Sequence, residues 1–165
     1  LPQFLEVERG FKGTSVGYIS SLVPWASIPG ALIFARIYDK FTHTKLLVWC
    51  LVPVAIISLI TVGLKTNNTI MMVALVLYGL TGKLAIGPIL LSFVTKTAHG
   101  QKLSTTLSAY NFIGMSGSIL APYITGWLAD QVGTMTIGFY LGAGLLLVGA
   151  IAFLFTNTKK GFATD

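Results

Sequence analysis

Residues 70–94 read IMMVALVLYGLTGKLAIGPILLSFV and hold one charged side chain, Lys83. A helix needs about 20 predominantly apolar residues to cross the hydrocarbon of a bilayer. The stretch is too long for a barrel strand, and a backbone in hydrocarbon must satisfy its own hydrogen bonds, as an α-helix does. Ile70–Val94 therefore reads as a transmembrane helix whose lone lysine needs an explanation.

Four further runs share this character: Thr14–Ala35, Leu46–Leu64, Ser104–Leu128 and Met135–Phe155. Pro24, Pro29, Pro88 and Pro122 fall inside the spans, where membrane helices accept proline more readily than soluble ones. Only 10% of the 165 residues are charged and the mean hydropathy is +0.80, whereas a soluble domain carries about 25% charged residues. So few charges cannot cover the surface of a soluble core, and the chain reads as an all-α membrane protein. Residues 1–13 are expected to be an extracellular loop, residues 14–156 the helical bundle, and residues 157–165 a cytoplasmic tail.

The short gaps between spans set the orientation. Arg36, Lys40, Lys45, Lys96, Lys102, Lys159 and Lys160 all lie on one side if the spans alternate. Arg9, Lys12 and Lys65 lie on the other, offset by Glu6, Glu8 and Asp130. The basic excess places the first group in the cytoplasm. Five helices then begin outside and end inside, which implies at least one helix upstream of Leu1. The net charge of +6 does not point to nucleic acid, because no aromatic residues interleave with the basic ones to form a strand-tracking groove. With Cys50 as the single cysteine and His43 and His99 isolated in loops, no metal set can be assembled and no cofactor is expected.

Lys83 is the sharpest functional candidate. A charge near mid-bilayer normally faces a cavity or a partner, and Gly79 and Gly87 flank it four residues to either side. An ammonium there suits an anionic substrate. The alternatives are snorkelling, or an ion pair with a helix outside this sequence. Ser104, Ser108, Asn111, Ser118 and Thr125 share one face of the fourth span, either lining a pathway or binding neighbouring helices. Asn111, with Tyr110 beside it, is the member expected to reach substrate, because its amide both donates and accepts. Trp25, next to Pro24, is deep enough to face the same cavity. Gly114, Gly117, Gly138 and Gly142, with Gly79 and Gly87, are small residues suited to close helix packing. Asp39, among Arg36, Lys40 and Lys45, is placed to join a charge network that holds one conformation of a moving protein.

The whole chain resembles the C-terminal half of a major facilitator superfamily transporter, beginning at the end of its seventh helix. Leu1-Pro2-Gln3-Phe4-Leu5 followed by Glu8-Arg9-Gly10 is similar to that junction in the anion:cation symporter family, whose members carry hexuronates, hexonates and other organic acids. The five spans then correspond to helices eight to twelve of a bundle whose C-terminal half has six. Ala35-Arg36-Ile37-Tyr38-Asp39-Lys40 is a degenerate form of the superfamily's loop signature, with Ala for Gly and Ile for Leu. The resemblance assigns Asp39, Lys40 and Arg36 to a conformational latch. Asn111, Gly114, Gly117, Pro122, Gly126, Asp130 and Gly133 match family-like positions in helix eleven, and the resemblance puts Asn111 near substrate. Lys83 is not a usual family residue in helix ten.

The resemblance implies transport of a small organic anion, coupled to a proton or another cation, by a multi-pass protein of the bacterial plasma membrane. Its partners would be substrate, coupling ion, lipid and the N-terminal helices. No Asp or Glu lies within the spans, so an enzyme is not expected and cation coupling has no candidate carboxylate here. Two other readings stand beside this one. A sugar carrier or drug exporter of the same superfamily would lean on Asn, Gln and aromatics, and a non-transporting scaffold subunit would pair Lys83 permanently with protein.

Overall fold

The computed structural model describes residues 1–40, 44–64, 66–97 and 102–155. Among them all regular structure is helical: α1 (Pro2–Val7), α2 (Thr14–Lys40), α3 (Thr44–Gly63), α4 (Asn68–Thr81), α5 (Lys83–Thr97), α6 (Lys102–Val132) and α7 (Ile137–Phe155). Thr14–Ile37, Asn68–Thr95 and Leu103–Val132 are long and apolar enough to cross a membrane, with shorter apolar stretches at Val48–Gly63 and Ile137–Phe153.

Two close helix pairs form the frame, α2 on α4 and α3 on α7, joined by α3 against α4 and α2 against α5. The α2–α4 crossing depends on two glycines facing each other's backbone. A Cβ on Gly79 would lie 2.5 Å from the Val23 carbonyl oxygen, and one on Gly30 would lie 2.6 Å from that of Leu80. Removing these two methyls allows the approach that helix pairs in lipid rely on, where no hydrophobic effect drives them together.

A core lies at each end of the frame. Phe4, Leu5, Val16, Ile19, Val62, Met71, Ala74 and Leu75 are buried together at one end, where Phe4 meets Phe139 edge-on at 4.8 Å. At the other, Val48, Leu51, Val52 and Ile86 pack with Phe34, Leu90, Leu146 and Phe153 around them. By contrast, α6 leans lightly on α7 and α5, and none of its apolar stretch is buried.

Three expectations from the sequence change. The span Ile70–Val94 is two helices, because Gly82 (φ −79°, ψ −164°) leaves the helical conformation between α4 and α5. Lys83 is consequently the first residue of α5 and does not sit inside an unbroken helix. Hydropathy is continuous across the break and so conceals it. Residues 1–13 are not all loop: Pro2–Val7 is helical and buries Phe4 and Leu5. Finally, α2 and α6 outrun their apolar spans to Lys40 and Val132, since helical hydrogen bonding continues where the side chains turn polar. Residues 157–165, with Lys159 and Lys160, lie outside the described residues, as does His43.

Candidate functional site

Gly82 serves both helices at the break. Its N–H donates to the Tyr78 carbonyl at 2.7 Å, closing α4, and its carbonyl accepts from the Ile86 N–H at 3.1 Å, opening α5. A helix beginning there carries unpaired N–H groups in its first turn and the positive end of the helix dipole. The side chain of Lys83 lies outside the described residues, but its backbone position adds a cationic residue at that positive end. Thr81, just before the break, is buried and donates its hydroxyl to Leu77 O at 2.8 Å. A Cβ on Gly82 would fall 2.5 Å from Tyr78 O and 3.0 Å from its ring, so this geometry admits only glycine.

The other predicted substrate residues are scattered over this frame. Trp25 is 71% exposed on α2, and Asn111 is exposed on α6 with Tyr110 half-buried beside it. The two helices are not among the pairs that pack extensively, so this chain does not bring Trp25 and Asn111 together. The hydroxyls of Ser118 and Thr125 donate to carbonyls of their own helix, at Gly114 (3.2 Å) and Ala121 (2.7 Å). Of the latch residues, Arg36 is exposed at the end of α2. The side chains of Asp39 and Lys40 lie outside the described residues.

The predicted packing glycines divide. Gly79 is in tight contact, Gly138 has Thr125 Cγ2 at 3.1 Å from its Cβ position, and Gly142 has Leu59 Cδ1 at 3.7 Å. Gly87, Gly114 and Gly117 would meet nothing within 4 Å.

Sequence reading missed the polar junction between the loops. The loops after α1, α3 and α6 converge at one end of the bundle, the end that charge asymmetry assigns to the outside. There the Arg9 guanidinium donates to the carbonyls of Val62 (3.2 Å), Leu64 (2.5 Å) and Thr66 (2.8 Å), closing the C-terminus of α3. It also lies 5.6 Å from the centre of the Phe4 ring. Glu8 accepts from the N–H groups of Met135 and Thr136 and from the Thr136 hydroxyl (2.7 Å), capping the start of α7. Each charge meets the helix end of opposite polarity. A signal for this was available: a Glu-Arg pair directly before Gly10, with a threonine just ahead of an apolar helix.

Beside this junction α1, α6 and α7 enclose an open cleft of about 410 Å3, lined by Phe4, Pro122, Thr125, Asp130, Met135 and Phe139 among others. Its described lining does not include Trp25, Tyr110 or Asn111. Among the described residues no group of His, Cys, Asp or Glu is placed to hold a metal ion.

This helical arrangement, with a glycine break inside an apolar span, invites comparison with known proteins. The family model for the Major Facilitator Superfamily matches residues 1–163. The chain belongs to that superfamily. Its long apolar helices accord with a multi-pass membrane protein. Among curated proteins, a putative tartrate transporter of Agrobacterium vitis is 28% identical over 93% of the chain and 35% of its own length. The hexuronate transporter of Bacillus subtilis is 24% identical over 92% of the chain and 38% of its own length. The chain thus spans little more than a third of the length of these relatives. No solved structure matches it.

Proposed function

We propose that the full protein carries a small organic anion, such as a sugar acid or a related carboxylate, across the bacterial plasma membrane by alternating access, coupled to a proton or another cation. The observation that carries this reading is the break at Gly82 inside the apolar stretch Asn68–Thr95, with Lys83 as the first residue after it. Transporters of several folds interrupt a membrane helix where substrate binds and point half-helix N-termini at anionic groups. An ammonium on such a terminus gives a carboxylate two sources of positive potential in one place. Asn111 and Tyr110 on α6, and Trp25 on α2, complete the proposed pathway wall. Their exposure in this chain is compatible with facing a cavity closed by the rest of the transporter. Asp39, Lys40 and Arg36 act as the cytoplasmic latch. The chain's similarity to a putative tartrate transporter and to a hexuronate transporter agrees with an acidic substrate.

Isothermal titration of the purified full-length protein tests the assignment. Losing one partner of a desolvated charge pair commonly costs about 2–5 kcal/mol. Lys83→Ala should therefore weaken binding of the carboxylate more than tenfold and that of a neutral analogue much less. Equal losses for both ligands would remove the direct charge contact and leave Lys83 a structural role.

A further inference from the structure

We infer that Glu8 and Arg9 form an outer staple, a single mechanical junction that fixes the end of α1 to the α3–α7 pair so that all three helix ends open and close together. The staple stands on geometry alone and does not depend on the identity of the substrate.

Three loops far apart in sequence meet at two adjacent residues. Arg9 holds three carbonyls from the end of α3 and the turn after it, and Glu8 holds three donors at the start of α7. Hydrogen bonds with one ionised partner are shorter and about twice as strong as neutral ones. A guanidinium carries five donors in a rigid plane, so three carbonyls can share it without rotamer exchange, which a lysine ammonium would not match. The peptide between the two residues is short and stiff. It holds the two anchoring side chains on adjacent residues, so that displacing the backbone at one also displaces it at the other.

The chain on either side is held as firmly. Before the pair, Phe4 and Leu5 are buried in the core that includes Val62 and Met71. After it, Gly10 adopts φ +70°, a conformation rare outside glycine, and so turns the chain back far enough for the Phe11 N–H to reach the Leu5 carbonyl at 3.0 Å. Phe11 then packs against the same core. The junction between α1 and α2 is therefore not a slack tether. It is a braced corner whose two charges reach sideways into two other helices.

A pair of independent caps and a coupled staple make different predictions. Independent caps act on their own helix ends alone. A staple transmits the loss of either anchor to both. Amide hydrogen exchange on the purified full-length protein, read by mass spectrometry over residues 4–12, 60–66 and 135–140, separates them. In Arg9→Ala, exchange should accelerate about tenfold or more over 60–66, since charged hydrogen bonds are worth about 1.5–3 kcal/mol. It should also accelerate clearly over 135–140, although the hydrogen bonds of Arg9 go to Val62, Leu64 and Thr66 and not to residue 135 or 136. Glu8→Gln should give the reciprocal pattern. Arg9→Lys and Thr136→Val, milder changes that keep the fold if Arg9→Ala does not, should show the same spread at smaller amplitude. Acceleration confined to the helix end that each side chain touches would overturn the staple and leave two separate caps.

Discussion

The α2–α4 crossing and helix α6 use the same residue type to opposite ends. On α4, Gly79 presses its backbone against Val23 with no room for a methyl group; on α6, Gly114 and Gly117 face open space. Small residues at helical spacing are therefore ambiguous: they mark a surface that permits close approach, and only the neighbouring helix decides whether the approach happens. Among the described residues the partner of α4 is present, whereas a Cβ on Gly114 or Gly117 of α6 would meet nothing within 4 Å. Phe112, Ile113, Met115, Ile119, Tyr123 and Trp127 are exposed beside it. The first region is frame. The second is surface available to lipid, to the proposed pathway or to the remainder of the transporter.

Single methyl groups can break this comparison. The largest effect is expected from Gly79→Ala, which forces Cβ into a carbonyl oxygen that cannot rotate away, at a cost of up to about 3 kcal/mol. It should be visible as a lower unfolding free energy of the full-length protein in detergent. Gly30→Ala should cost a similar amount. Because both substitutions push the same pair of helices apart, the double variant should lose less than the sum of the two. A fully additive result would mean that the two contacts are independent.

Gly82→Ala comes next, at about 1–2 kcal/mol, toward the lower end of what overpacking costs. The methyl would collide with the Tyr78 carbonyl and ring unless the break changes shape. Slower amide exchange over residues 82–86, marking a continuous helix, is the expected structural consequence, together with weaker carboxylate binding. Normal binding by a straightened helix would detach substrate recognition from the break.

Gly138→Ala should fall under about 1 kcal/mol, because the neighbour at 3.1 Å is the end of the Thr125 side chain and can shift slightly. Smallest of all is Gly114→Ala, within about 0.5 kcal/mol of the parent. A loss there as large as that at Gly79 would show that another part of the transporter packs on α6 as closely as α2 packs on α4.

Fold class was legible in the sequence because the bilayer imposes a length and a hydropathy that soluble folds do not. The break at Gly82 was not. Thr81-Gly82-Lys83 contributes three residues to a run of strongly apolar ones, and mean hydropathy hardly registers a change of dihedral angle. Gly79 is legible as a small residue near Lys83, but its counterpart Gly30 is not, because pairing across helices has no signature within either one. Glu8 and Arg9 were read as charges offsetting one another on a loop. Their partners are mostly backbone atoms more than fifty positions away, and backbone carries no letter in a sequence. Lys83, Asn111, Tyr110 and Trp25 are legible as polar or amphipathic residues in apolar surroundings. The joint role proposed for them has no counterpart in direct packing, since α2 and α6 are not among the helices that pack extensively here.

The junction at Glu8 and Arg9 also bears on how fast a ligand arrives. Its two charges are each turned onto a helix terminus of opposite sign, so little of either extends into solvent. The other charges that the sequence assigns to this end are Lys12 and Lys65, matched by Glu6 and Asp130. The charges that the sequence assigns to this rim sum to zero, so they give an approaching anion no long-range pull of their own. Encounter from that side should then proceed at a rate nearly insensitive to ionic strength. On the proposed function, selection of charge would fall to the half-helix that starts at Lys83.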